Sequence, residues 1–197
     1  MNNKMSGLVY GIIAIFALAV LALVVIESAN QSRTDLPDYG LIPNFQFKER
    51  SGVSYGRQEM IGKINIVNFF FTSCKGPCPY MNSQVANLYR KYATSNDVQF
   101  VSISVDPEHD SLSVLQKYAK DFGVTDNRWL FLRGPLDEVE NLSEKGFMLG
   151  GELPDLHSTK LILVDTRGHI RGYYSSYDDN SLELLTIHVR ELLKKKI

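Results

Sequence analysis

Residues 64–71, Ile-Asn-Ile-Val-Asn-Phe-Phe-Phe, run without hydrophobic alternation and stop at Thr72-Ser73-Cys74-Lys75-Gly76-Pro77-Cys78-Pro79. A β-branched and aromatic run with no period-two pattern is expected of a central strand covered on both faces. Beyond Pro79 the spacing changes: Met81, Val85, Leu88 and Tyr92 recur at helical intervals. The chain must therefore supply a sheet with helices against it. The strand-to-helix hinge also holds both cysteines of the protein. Thiols at a helix start face the positive end of its dipole, which favours the thiolate, the form that acts as nucleophile and soft-metal ligand.

The remaining elements fit around that strand. Residues 44–55 alternate about Arg50-Ser51-Gly52, as in a hairpin with a glycine turn. The spacing predicts a helix over 79–92, a strand over 98–105, a helix whose stripe is Leu112, Leu115, Ala119 and Phe122, a short strand over 129–132 and a third helix marked by Leu136, Val139 and Leu142. Strands over 160–164 and 169–174 flank Asp165-Thr166-Arg167-Gly168, and a last helix carries Leu182, Leu185, Val189 and Leu192. The order is hairpin, β-α-β-α-β-α, hairpin, helix. It implies an α/β, thioredoxin-like mixed sheet flanked by helices, with an N-terminal hairpin and an inserted β-α unit.

Residues 5–26 contain no charge over 22 positions, enough to cross a hydrocarbon core of roughly 30 Å. A cleaved signal peptide usually has an apolar region of only about 7–15 residues, and Glu27-Ser28-Ala29-Asn30 offers no small-x-small cleavage site. The run reads as an uncleaved N-terminal transmembrane helix. Lys4 precedes it and Glu27 follows, so the positive-inside rule leaves the N-terminus in the cytoplasm. The simplest setting is a single-pass bacterial inner-membrane protein with its C-terminal domain in the periplasm or on the outer side, where a cysteine pair can be a disulfide. The expected organisation is a cytoplasmic tip and anchor over 1–27, a tether over 28–43 and a folded domain over 44–197. Without Lys4 the chain has 20 basic against 22 acidic residues, net −2, and no basic patch that would call for nucleic acid.

Cys74 and Cys78 are spaced C-x-x-x-C, one residue longer than the C-x-x-C redox motif. Residues before proline avoid the α region, so Gly76 and Cys78 are expected to be extended. Pro79 then starts the helix, Cys78 caps it and Cys74 lies a turn away on the loop. Both sulfurs can face one point, which suits a disulfide or a pair of metal-bound thiolates. Of the four histidines, His109 sits in a polar turn, His169 on a hairpin and His188 beside an apolar helix stripe, all places where a structural role suffices. His157 differs. It lies in an irregular loop leading into the 160–164 strand, and in a thioredoxin-like sheet that loop passes beside the cysteine hinge. Two thiolates and one imidazole form a soft, low-coordinate set, which selects Cu(I) among common metals.

Three segments carry a family resemblance: Phe71-Thr72-Ser73-Cys74 through Cys78-Pro79; Val101-Ser102-Ile103-Ser104-Val105-Asp106-Pro107-Glu108-His109-Asp110; and His157-Ser158 leading into Leu163-Val164-Asp165-Thr166-Arg167-Gly168. Together they resemble the Sco/SenC family, membrane-tethered thioredoxin-like copper chaperones of cytochrome c oxidase assembly, over roughly 43–197. The resemblance implies that Cys74, Cys78 and His157 bind copper as Cu(I) or Cu(II), and that Cys74 and Cys78 are also a redox-active pair. It implies delivery to the binuclear copper site of an oxidase subunit, with a periplasmic copper donor or thiol reductant as further partner. Asp106 matches the family's Asp-Pro motif and is explained equally by the turn it opens. Lys75 between the cysteines and Leu156 before His157 depart from the family's usual residues; an ammonium beside two thiolates would offset charge and lower thiol pKa. The competing reading is a membrane-anchored thiol-disulfide oxidoreductase acting on a partner's cysteines, against which the longer spacing and His157 count. A peroxiredoxin-like peroxidase is disfavoured because Thr72-Ser73-Cys74 has the wrong spacing and no preceding proline.

Overall fold

The computed structural model describes residues 11–23, 36–150 and 158–195. The chain divides into two compact units, Met1–Leu36 and Pro37–Ile197. In the first, residues 11–23 form helix α1, and every one of them is exposed. Among the described residues no helix is long and apolar enough to cross a membrane; both ends of the charge-free 5–26 run lie outside the described residues.

The second unit is built on one seven-stranded mixed sheet. Its strands are β1 (Gln46–Glu49), β2 (Ser54–Gly56), β3 (Ile64–Phe70), β4 (Val98–Ser104), β5 (Trp129–Arg133), β6 (Lys160–Val164) and β7 (Ile170–Ser175). They lie side by side in the order β2-β1-β5-β4-β3-β6-β7. β3, β4 and β5 are parallel; β1 joins β5, and β6 joins β3, antiparallel. The helices are α2 (Arg57–Met60), α3 (Cys78–Lys91), α4 (Leu112–Asp121), α5 (Leu136–Asn141), which runs on into a π-helical turn (Leu142–Gly146), and α6 (Asp179–Lys195). This is the expected thioredoxin-like order. The hairpin turn places Gly52 at φ 89° and the β6–β7 turn places Gly168 at φ 87°, conformations that glycine alone adopts at little cost.

β3 and β4 are buried along their whole length, as the unalternating pattern requires. One face of the sheet packs Val67, Phe69, Val101 and Ile103 against Val139, Leu142 and Phe147. The other carries an aromatic cluster in which Phe70 stacks on Tyr118 and Trp129 on Phe131. Both asparagines within β3 donate side-chain hydrogen bonds, although Asn65 Oδ1 is buried with no donor to it among the described residues. Asn65 donates to the carbonyls of Met60 and Lys63. Asn68 belongs to a buried chain: Trp129 Nε1 donates to Ser102 Oγ, Ser102 to Asn68 Oδ1, Asn68 Nδ2 to Asn82 Oδ1 and Asn82 Nδ2 to Tyr118 Oη, all at 2.7–2.9 Å. It links β5, β4 and β3 to α3 and α4, and a fully paired buried network of this kind fixes one arrangement of the elements it joins.

Residues 37–42, within the segment expected to be a tether, are tied to the sheet. Tyr39 N donates to Ile170 O and Ile170 N to Gly40 O, both at 2.9 Å, and Ile42 N donates to Gly168 O at 3.0 Å. Ile42 is fully buried. This backbone pairing and one apolar anchor add a short strap along the β7 edge.

Candidate metal centre

The hinge is formed where β3 ends. Phe70 and Ser104 are register partners at the C-terminal ends of two parallel strands, so Thr72 and the loop 105–110 emerge side by side. Asp110 bridges them. Its fully buried carboxylate accepts hydrogen bonds from Thr72 N, Thr72 Oγ1 and Ser104 Oγ. A buried carboxylate is tolerated only when paired in this way.

Past Thr72 the chain curls through Ser73–Gly76 into α3. The helix begins one residue earlier than the sequence suggested: Pro77 is the cap, at φ −75° and ψ −26°, and Cys78 is already helical rather than extended. The pre-proline restriction at Cys78 is overridden by the helix that follows. The carbonyl of Pro77 accepts from Met81 N at 3.0 Å and from Tyr177 Oη at 3.2 Å.

No disulfide joins the cysteines; Cys74 is half-buried and Cys78 fully buried, and the Cys74 thiol lies close enough to act on that of Cys78. Burial pushes the Cys78 thiol up to about 12; a hydrogen bond from the Phe71 backbone opposes this, while Cys74 and Asp110 add to it. The thiolate expected from the helix dipole is therefore not favoured at Cys78. A dipole effect of about 0.3–2 kcal/mol is outweighed by the cost of charging a buried thiol beside a carboxylate. Lys75, expected to lower the pKa, is exposed, where water screens its charge.

Asp106 is a turn residue. Its backbone carbonyl accepts from His109 N and Asp110 N, and its carboxylate pairs with His109 Nδ1 at 2.8 Å. His109 is exposed, and this carboxylate raises its pKa. The Asp-Pro motif thus shapes the loop, and Asp110, four residues on, is the carboxylate that reaches the cysteine hinge. Tyr118 was also missed. Its ring stacks on Phe70 with centroids 5.3 Å apart, its hydroxyl is held by Asn82, and burial first, then the charges of Cys78 and Cys74, raise its pKa to about 12. Asn82 lies one helical turn beyond Cys78, so the buried network ends next to the thiols.

The other described histidines are engaged elsewhere. His169 pairs with Asp38 at 3.0 Å on the β6–β7 turn, which the register of β6 places at the opposite end of β3 from the cysteines. His188 Nδ1 meets Tyr174 Oη at 2.7 Å, and burial lowers its pKa. His157 and Leu156 lie in 151–157, outside the described residues. Among the described residues there is no cluster of three or more His, Cys, Asp or Glu that could hold a metal.

An unbridged thiol pair thus sits at the hinge of a thioredoxin-like sheet. The SCO1/SenC family model matches residues 34–193. The chain belongs to the SCO1/SenC family. Among its relatives, the SCO1 protein homolog of Bacillus subtilis (strain 168) is 28% identical over 186 residues, 88% of this chain and 92% of the relative. The structure of BsSco, described as a member of the Sco family of cytochrome c oxidase assembly proteins in which a disulfide switch was identified, superimposes with a TM-score of 0.71 at 25% identity, covering 80% of this chain and 95% of that one. Yeast Sco1 crystallised with copper bound has the same fold, with a TM-score of 0.64 at 24% identity over 77% of this chain and 89% of that one.

Proposed function

We propose that this Sco protein is a membrane-anchored copper chaperone. It takes up one copper ion, as Cu(I) or Cu(II), on Cys74, Cys78 and His157 and delivers it to the binuclear copper site of cytochrome c oxidase. The observation that carries the reading is the pair of neighbouring, unbridged thiols just past the end of the central strand. Two sulfur donors held together are a Cu(I) site in outline. Uptake takes a proton from each thiol that becomes a ligand, so copper overcomes the raised pKa of Cys78 by displacing its proton.

The register of β6 supports His157 as third ligand. Asn65 pairs with Val164 and Val67 with Ile162; continuing that register puts Ser158 level with Phe71, three residues before Cys74. His157 is the residue that precedes Ser158 in the sequence. The charge-free 5–26 run serves as the anchor, with the 37–197 unit on the outer side of a bacterial inner membrane.

His157→Ala is expected to weaken Cu(II) binding at least about tenfold and to alter the sulfur-to-copper charge-transfer bands. Cu(I), content with two sulfurs, is expected to suffer less. His109→Ala and His169→Ala should leave both unchanged, because each imidazole is already paired with a carboxylate of its own, Asp106 and Asp38. Wild-type Cu(II) spectra in His157→Ala, with altered spectra in His109→Ala, would overturn the ligand assignment. The oxidoreductase reading draws on the same thiols: closing the Cys74–Cys78 bond would release two electrons and two protons to a partner disulfide. It becomes the better account if no histidine substitution affects copper.

A further inference from the structure

The loop between β7 and α6 makes contacts that neither the sheet nor the copper ligands require. Ser176, fully buried, donates through both its backbone N and its Oγ to the carbonyl of Thr159, at 3.4 and 2.9 Å. The next residue turns the other way. Tyr177 Oη donates to the carbonyl of Pro77 at 3.2 Å, and its ring stacks on Tyr80, with centroids 4.6 Å apart and an interplanar angle of 26°. Tyr177 N is held by Ser175 Oγ at 3.3 Å. Pro77 and Tyr80 bracket Cys78 in the first turn of α3.

A fold needs none of this. Both rings are about half exposed, 53% for Tyr177 and 41% for Tyr80, so little apolar area is removed from water. The first turn of a helix has no backbone partners of its own for its leading N–H groups and is its weakest part. Here that turn carries a thiol with no exposure at all.

We infer that Tyr177 is a positioning residue for Cys78: it latches the first turn of α3 from outside and so sets how often the buried thiol becomes accessible. The latch has two components, a hydrogen bond to the cap carbonyl and a ring stacked on the turn. The Ser176 bonds fix its base to the start of β6, so it does not move with the helix it holds. A reagent, a partner thiol or an incoming metal reaches Cys78 by opening this turn. This role concerns access to the thiol and is independent of whether copper or a disulfide is the thiol's business.

The test uses the full-length chain in detergent with Cys74→Ser, so that Cys78 is the one thiol, and follows alkylation by iodoacetamide at fixed pH alongside amide hydrogen exchange. Tyr177→Ala removes both components and is expected to speed alkylation of Cys78 about tenfold; Tyr177→Phe keeps the stack and is expected to give about threefold. Amide protection in β3, β4 and β6 should stay at its original level in both. An unchanged alkylation rate in Tyr177→Ala would overturn the inference. So would an increase that merely parallels a general loss of strand protection. Should Tyr177→Ala fail to fold, the Tyr177→Phe result alone decides: a rate equal to that of the Tyr177 protein refutes the hydroxyl's part in the latch.

Discussion

Cys78→Ala is expected to lower Cu(I) affinity by more than about a hundredfold, beyond the usual cost of losing an outer-sphere partner of a metal ligand. The substitution removes one of only two sulfur donors at the hinge and with it any intramolecular disulfide. Stability should change by only about 1–2 kcal/mol, because one small buried group is lost together with the hydrogen bond it accepts from the Phe71 backbone. Anaerobic competition against a Cu(I) chelator, with urea unfolding of the same sample, separates the two effects. Retention of tight one-to-one Cu(I) binding by Cys78→Ala would place the copper elsewhere.

Asp110→Ala should damage the protein in a different way. Thr72 N, Thr72 Oγ1 and Ser104 Oγ all lose their acceptor. Thr72 is only half-buried, so water can replace part of what is lost, but Ser104 is sealed. At about 1–3 kcal/mol for each buried donor left unsatisfied, a loss of about 3 kcal/mol in urea unfolding is expected, large for a single substitution. The same change removes a negative charge that raises the Cys78 pKa. The Cys78 thiol should therefore titrate lower, which ultraviolet thiolate absorbance will show. A variant as stable as the original, or one whose Cys78 titrates higher, would contradict this assignment of Asp110. Asp110→Asn, which keeps one carbonyl acceptor, should fall between the two in stability.

Most of the frame was legible because it follows from periodicity. The unalternating 64–71 run marks the strand that ends up between β4 and β6, and the spacing Met81, Val85, Leu88 marks the face by which α3 covers it. What periodicity does not encode is which polar residue answers which. Asp106 and Asp110 both stand in one acidic turn, and the motif drew attention to the first. The deciding signal was elsewhere: Thr72 and Ser104 are hydroxyl residues at the ends of two adjacent buried strands, and together they need an acceptor. Asn68 and Asn82 posed the same problem, since a polar residue in a fully buried strand needs a partner, and this one came from the cysteine helix. The thiol itself was misjudged because a helix start is visible in sequence whereas its depth is not. Burial of Cys78 outweighs the dipole. The segment 37–42 read as tether because it belongs to a polar stretch, 28–43, whose prolines and polar residues carry no period, yet backbone pairing to β7 needs none.

The central claim is that one pair of thiols serves both as copper site and as redox couple. It is tested most directly by titrating the full-length chain with Cu(I) anaerobically, first with Cys74 and Cys78 reduced and then after oxidation to the intramolecular disulfide. The reduced protein should bind one Cu(I) per chain. The oxidised protein should bind none, because a disulfide has no thiolate to donate, and reduction should restore the site in full. Stoichiometric Cu(I) binding by the oxidised protein would contradict the account.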